Sequence, residues 1–127
     1  DSTGRIALKK CDLFLFGADA ITAEGNVVNK IGTTMFAQFA SMYQIPVYSC
    51  TNSWKFDPAT IGGADEPIEE RSSTEVWENP PVGVKIINPA FELTPADKIN
   101  GIITELGVFK PETLIMEITK TYPWMLK

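Results

Sequence analysis

The sequence contains no histidine and only two cysteines among its 127 residues. The absence of histidine removes the commonest general base and the commonest metal ligand, so any chemistry depends on carboxylates, lysines, thiols or the backbone. The spacing of Cys11 and Cys50 matches no metal-binding pattern, and we expect both to be buried free thiols in a reducing, cytoplasmic compartment. We therefore expect neither a metal nor another cofactor.

Long apolar runs and basic segments are also missing. No apolar window reaches the roughly 18 residues that a membrane span requires, and no signal peptide is recognisable. Eleven basic and 16 acidic residues give a formal net charge of −5, so we expect neither a membrane nor a nucleic acid as a direct partner. The length suits one domain with a modest core. Because the chain begins at Asp1 within a helical pattern, we expect residues 1–127 to be a fragment of a longer protein.

Short apolar runs alternate with helical patterns along the chain. Strands are predicted at residues 13–16, 46–50, 84–88 and 101–105, and helices at 29–44, at 95–99 with Thr94 as N-cap, and at 110–122. The first helix would begin at Asn29 as its N-cap and bury a stripe formed by Ile31, Met35, Phe39 and Met42. A polar excursion fills residues 51–83. The pattern predicts an open, mostly parallel α/β sheet with flanking helices.

The end of the first strand is the candidate site. In such sheets ligands bind beyond the carboxyl ends of the strands, and Asp19 follows the first strand closely. The backbone N–H groups of Asn29, Lys30 and Gly32, at the start of the predicted helix, would hold a phosphate. The alternative is that Asp19 caps a turn and Asn29 caps the helix. The pattern alone leaves both readings open.

Four motifs occur in a fixed order: "GADAITAEGNVVNKIGT" (17–33), "IEERSSTEV" (68–76), "NPAFELTP" (88–95) and "IITELGV" (102–108). Together they resemble one family, which joins ribose-1,5-bisphosphate isomerases, methylthioribose-1-phosphate isomerases and the alpha, beta and delta subunits of translation initiation factor 2B. The resemblance implies a Rossmann-like C-terminal domain, normally preceded by further sheet and a helical domain. It also implies a phosphorylated sugar or a nucleotide-derived compound as ligand.

The resemblance also implies roles for four residues. Asp19 matches the catalytic acid/base of the isomerases, and Asn29 and Lys30 match the pair that holds the substrate phosphate. Lys55, in "WKF", matches a substrate-binding lysine of the bisphosphate isomerases. The catalytic cysteine of the family lies upstream of this chain, so the chain alone would be inactive.

The motifs point to more than one branch of the family. Ala20 and "WKF" favour the ribose-1,5-bisphosphate isomerases, whereas "PIEER" points partly to the methylthioribose-1-phosphate isomerases. Retention of Asp19 and the Asn29–Lys30 pair favours an enzyme over a regulatory translation-factor subunit, which stays as the alternative.

Two further features bear on assembly. Residues 69–71 form either an ion network between subunits or a solvated loop, and Trp54, Trp77 and Trp124 suit packing or an interface better than substrate binding. These features, together with an open sheet edge beside residues 13–16, predict a homo-oligomer, most simply a two-fold dimer.

Overall fold

The computed structural model describes residues 3–126, which form two β-sheets with helices packed around them. The strands are β1 (Phe14–Phe16), β2 (Ala20–Ile21), β3 (Val27–Lys30), β4 (Val47–Cys50), β5 (Phe91–Thr94), β6 (Gly101–Thr104) and β7 (Gly107–Phe109). The α-helices are α1 (Gly4–Leu8), α2 (Thr33–Met42) and α3 (Pro111–Thr121). None of the helices in the described part of the chain has the length and apolar character that crossing a membrane would need.

The central sheet has the strand order β1-β4-β6-β7. Strands β1, β4 and β6 run parallel, and β7 closes one edge as the antiparallel partner of β6. Buried apolar side chains such as Val47 and Ile102 hold this sheet in the core. Gly101 is required where β6 meets β4, because a Cβ atom there would lie 2.8 Å from the ring of Tyr48. The predicted α/β architecture is confirmed, together with the strands at 13–16, 46–50 and 101–105.

A second, antiparallel sheet of order β2-β3-β5 was not predicted. Strand β3 pairs with β2 across a tight turn and with β5 far along the chain, with Lys30 opposite Phe91. The strand predicted at residues 84–88 is wrong, since the pairing strand is β5 at Phe91–Thr94. Pairing between distant segments decides this sheet, and an apolar run alone does not reveal such pairing.

Helix α2 begins later than predicted and buries a different face. Because β3 extends through Lys30, Asn29 is a strand residue, and Gly32 takes the N-cap position. The buried residues of α2 are Thr33, Ala37 and Ala40, while Met35 and Met42 are exposed. Small side chains face the core here because they let the helix lie close to its neighbours. Of the predicted stripe, Phe39 packs against the core as expected, whereas Ile31, Met35 and Met42 are exposed.

The other two predicted helices have different outcomes. Helix α3 is confirmed, and it buries Leu114 and Ile118 as its apolar stripe predicts. The helix predicted from Pro95, with Thr94 as its N-cap, is wrong, because only a single 3-10 turn, Ala96–Lys98, forms there. Thr94 is instead the last residue of β5, and Pro95 takes the cap position.

One apolar cluster runs through the molecule, from Leu8 at the end of α1 to Ile118 on α3. Helix α2 packs on β1 and β4, and α3 packs on β6 and β7. The expectation of buried thiols is wrong, because both Cys11 and Cys50 are exposed, although both are free. Cys50 is the last residue of β4, and Cys11 lies in the connection between α1 and β1.

Candidate functional site

The candidate site lies at the carboxyl edge of the parallel strands. Strand β1 is followed by Gly17–Asp19, β4 by residues 51–55 and β6 by Glu105, so three connections reach the same edge. This is the edge at which open α/β sheets bind their ligands. A cavity of about 310 Å³ lined by residues 44–47 and 97–100 lies at the opposite, amino end of β4 and is not part of this site.

Asp19 lies three residues beyond the end of β1, between β1 and β2. Its backbone N–H donates a hydrogen bond of 2.8 Å to the carbonyl of Val28 on β3. The side chain is exposed, and within residues 3–126 its carboxylate has no hydrogen-bond partner. The backbone of Asp19 is therefore fixed, while its carboxylate is available to a bound molecule.

Asn29 lies beside this connection. A Cβ atom on Gly17 would come within 3.8 Å of Oδ1 of Asn29, so the two segments are adjacent. The Nδ2 group of Asn29 donates to Oγ1 of Thr33 at 3.0 Å, and that hydroxyl in turn donates to the carbonyl of Lys30 at 2.6 Å. Because the hydroxyl proton is already used, the oxygen can only accept, which fixes the orientation of the Asn29 amide.

Lys30 projects from the end of β3 toward solvent. Its ammonium lies 5.3 Å from the ring centroid of Phe91, the residue opposite it on β5. Glu75 carries charge nearby: its carboxylate receives hydrogen bonds of 2.8 and 2.9 Å from Arg71. These hydrogen bonds lower the pKa of Glu75, and the charges of Arg71 and, more weakly, Lys30 add to the effect.

The helix start differs from the expected phosphate site. Asn29 and Lys30 belong to β3, and the N–H of Gly32 donates to Oε1 of Glu92 at 2.5 Å. The N–H of Thr34 donates to the same oxygen at 3.0 Å. The prediction that the Gly32 N–H is free for a phosphate is therefore wrong, because a carboxylate of the chain itself takes that position. Anion binding here would fall to the side chains.

Lys55 lies on the connection that follows β4, in the 3-10 turn Ser53–Lys55. Glu105 fixes this turn, since the backbone N–H and the hydroxyl of Ser53 both donate to its carboxylate. Burial opposes ionisation of Glu105, but the hydrogen bonds from Ser53 outweigh it and lower its pKa. Within residues 3–126, no hydrogen bond or ion pair joins Lys55 to the other predicted site residues.

The segment that carries Lys55 also borders β2. Phe56 forms an isolated bridge with Ile21, and the N–H of Asp57 donates to the carbonyl of Ile21 at 2.9 Å. Asp57 in turn contacts Glu66, and this hydrogen bond, with burial and the charge of Asp57, raises the pKa of Glu66 to about 6. Lys55 is thus held near the candidate site by its backbone neighbours, while its own side chain stays exposed.

Sequence reasoning missed Glu92 and Glu105, the two carboxylates that organise the site. Glu105 follows a buried strand directly, which is the signal that identified Asp19, so the same rule applied to β6 would have found it. Glu92 gave no comparable signal, because its role depends on a strand pairing between distant segments.

The fold, together with the polar side chains at the carboxyl edge of the central sheet, defines a Rossmann-like α/β domain with a polar site beyond its parallel strands. The model of the Initiation factor 2 subunit family (IF-2B) matches residues 1–111, and the chain belongs to this family. It is 44% identical over 129 residues to a ribose 1,5-bisphosphate isomerase from Methanocaldococcus jannaschii, an alignment that covers all of this chain and 42% of the relative. The chain thus spans about two fifths of the length of that relative.

Similar solved structures support the assignment of the chain to this family. A 5-methylthioribose 1-phosphate isomerase from Pyrococcus horikoshii matches at 33% identity and a TM-score of 0.81, with 94% of this chain and 36% of that chain covered. The translation initiation factor eIF-2B of the same organism matches at 33% identity and a TM-score of 0.75, with 90% and 39% covered. A tetrameric eIF2B-beta2-delta2 complex from C. thermophilum, at 22% identity and a TM-score of 0.64, shares the fold (93% and 33% covered).

Proposed function

We propose that this chain is part of a sugar-phosphate aldose–ketose isomerase of the ribose-1,5-bisphosphate type. The observation that carries the proposal is the adjacency of the Asp19 connection and the Asn29 amide at the carboxyl edge of β1. The curated relative named as a ribose 1,5-bisphosphate isomerase supports the choice of substrate. The proposal covers the whole protein, of which this chain supplies the aspartate and the anion-binding residues.

In this proposal Asp19 transfers a proton. Aldose–ketose isomerisation moves a proton between neighbouring carbons and needs a second acid or base on the sugar oxygens, with the phosphate held to fix the orientation. The exposed carboxylate of Asp19, whose backbone is anchored to Val28, suits the oxygen-side role. A thiol or carboxylate outside this chain would take the other role.

Asn29, Lys30 and Lys55 bind the phosphorylated sugar in this proposal. Both lysines are exposed, and an ammonium forms charge-assisted hydrogen bonds with phosphate oxygens. Because Glu92 already accepts from the N–H groups at the start of α2, the side chains carry the anion contact. This differs from a phosphate held by a helix N-terminus alone.

The substitution Asp19→Asn in the complete protein tests the catalytic role. The amide keeps the shape of the carboxylate but cannot take up a proton, so kcat for ribose 1,5-bisphosphate should fall by about 10²- to 10⁴-fold. Binding of the same compound, followed by calorimetry, should stay within about threefold of the parent. Equal turnover by variant and parent would remove Asp19 from catalysis.

The alternative is a regulatory subunit of the translation initiation factor 2B type, which binds a phosphorylated ligand without converting it. The likeness to the P. horikoshii eIF-2B structure favours this alternative. A parent protein that binds a sugar phosphate with no turnover of ribose 1,5-bisphosphate would select it. A parent that turns the compound over would exclude it.

We also propose that the chain self-associates, most simply as a two-fold dimer. Exposed apolar side chains on the segment between β4 and β5 support this proposal: Val76, Trp77, Val82, Val84 and Ile87. Trp54 and Trp124 add a second apolar area: their ring centroids lie 5.4 Å apart, and both side chains are at least half exposed. Sedimentation at micromolar concentration should give about twice 14.0 kDa for this chain. A species of single mass at every concentration would rule the dimer out.

A reducing, cytoplasmic setting completes the proposal. Both cysteines are free and exposed, and exposed thiols persist in reducing compartments.

A further inference from the structure

Helix α2 lacks a cap of its own. Its N-cap residue, Gly32, has no side chain to accept a hydrogen bond, and the first turn of the helix contains no acidic residue. The φ angle of Gly32 is 102°, a left-handed conformation that residues with a Cβ atom adopt only with strain. The acceptor for the first N–H groups comes instead from Glu92, 60 residues away from Gly32 in the sequence.

The contacts of Glu92 are specific. Its Oε1 accepts from the N–H of Gly32 at 2.5 Å and from the N–H of Thr34 at 3.0 Å. A carboxylate at this position is favoured by the positive end of the helix dipole. The next two residues of β5 add to the attachment, because the hydroxyl of Thr34 contacts the carbonyl of Leu93 at 3.2 Å and the hydroxyl of Thr94 at 3.0 Å.

The candidate site is connected to this attachment in two ways. Glu92 is the cross-strand partner of Asn29 in the β3–β5 pairing. The first residue of α2, Thr33, accepts the hydrogen bond that orients the Asn29 amide. A displacement of the helix start would therefore move Thr33 away from Asn29 and release that amide.

We propose that Glu92 is a positioning residue of the anion site, which fixes the first turn of α2 and, through Thr33, the side chain of Asn29. The inference rests on the proposed function, since it assumes that Asn29 contacts the ligand. Glu92 itself does not touch the ligand, and its negative charge opposes an anion. Its contribution to ligand binding is therefore geometric: the charge adds to the attachment of the helix start, but an uncharged acceptor in the same position suffices to hold Asn29 in place.

Glu92→Ala and Glu92→Gln in the complete protein separate geometry from charge. Glutamine keeps an Oε1 acceptor at the same distance from the backbone but carries no charge. We expect Glu92→Ala to raise the Kd for ribose 1,5-bisphosphate at least tenfold, and Glu92→Gln to stay within threefold of the parent or to bind more tightly. Glu112→Ala is the matched control, since Glu112 is an exposed acid in the first turn of α3, and it should leave the Kd unchanged.

Two results would overturn the inference. If Glu92→Ala binds as the parent does, the position of the helix start does not matter to the ligand. If both Glu92 variants lose affinity equally, the charge and not the geometry is responsible. If Glu92→Ala does not fold, Thr33→Val and Thr33→Ser decide: the first should weaken binding and the second should restore it, and equal affinities would reject the role.

Hydrogen exchange without ligand keeps this test separate from the proposed function. The amides of Gly32 and Thr34 should be protected in the parent and in Glu92→Gln and exposed to exchange in Glu92→Ala. If the parent shows no affinity for ribose 1,5-bisphosphate, the proposed function fails and the ligand part of this inference fails with it. The exchange pattern would still decide whether Glu92 fixes the start of α2.

Discussion

The central sheet and residues 61–89, the exposed part of the segment between β4 and β5, are held in place by different forces. Strands β4 and β6 bury Val47 and Ile102 almost completely. By contrast, no residue from 61 to 89 is buried. Backbone hydrogen bonds fold this stretch on itself, from Arg71 to Asn88 at 2.9 Å and from Ala90 to Glu69 at 2.8 Å. Stability is therefore concentrated in the sheet, and the segment is free to serve binding and assembly.

Truncation of an apolar side chain in each region is the strongest test of this contrast. Ile102→Ala should lower the free energy of unfolding by about 2–5 kcal/mol, because the fully buried side chain leaves a cavity. Val82→Ala, in the exposed segment, should change it by less than about 0.5 kcal/mol. Urea unfolding followed by circular dichroism measures both. The measurement is made at a protein concentration too low for self-association, where Val82 is exposed, and a comparable loss at Val82 would contradict the contrast.

Lysines in the segment between β4 and β5, residues 51–90, test whether its first part belongs to the site. Lys55→Ala should raise the Kd for ribose 1,5-bisphosphate roughly tenfold, or ~1.4 kcal/mol, because one charge-assisted contact is lost. Lys85→Ala, an exposed lysine further along the same segment, is the matched control and should leave the Kd unchanged. Equal losses in the two variants would indicate a general effect of charge and would remove Lys55 from the site.

The contact between Asp57 and Glu66 gives a smaller, pH-dependent effect. The hydrogen bond to Asp57 raises the pKa of Glu66 from its ordinary 4.5 to about 6. Because the pKa is higher in the folded state, protonated Glu66 stabilises the fold. This contribution is complete below pH 4.5 and is lost as the pH rises through about 6.

Glu66→Gln removes this pH dependence, since the amide donates to Asp57 at every pH. At pH 7.5 the variant should exceed the parent in stability by less than about 1 kcal/mol, and the difference should disappear near pH 4.5. Thermal unfolding across this range measures the effect, with Glu78→Gln as the control in the same exposed segment. A difference between Glu66→Gln and parent that is the same at all pH values would contradict the assignment.

Elements with a local signal were predicted correctly. The apolar runs of β1 and β4, and the Leu114–Ile118 spacing of α3, reveal these elements within a few residues of sequence, although Leu15 of β1 is exposed. The phase of α2 was wrong because Ala37 and Ala40 face the core, and alanine is a weak marker of burial. Strands β3 and β5 were missed because each depends on the other, far away in the sequence.

In the candidate site, too, the residue with a local signal was predicted, and the residue that depends on distant strand pairing was not. Asp19 was found because it follows an apolar strand, and the structure confirms its location beyond β1. The assignment of Asn29 to a helix cap was wrong because β3 continues to Lys30. Its role in binding, and those of Lys30 and Lys55, remain predictions. Glu92 could not be found locally, since its hydrogen bonds to Gly32 and Thr34 exist only once β5 is paired.

The pairing of β3 with β5 has a consequence for the order of folding. Closing a loop of about 60 residues costs chain entropy before any contact compensates for it, so we expect this sheet to form late. Helix α3 and the β6–β7 hairpin need only local contacts and can form earlier. The start of α2 and the Asn29 amide reach their final positions only when the loop has closed. A chain caught midway would thus have α3 and the β6–β7 hairpin and no affinity for anions, and a ligand would stabilise only the completed fold.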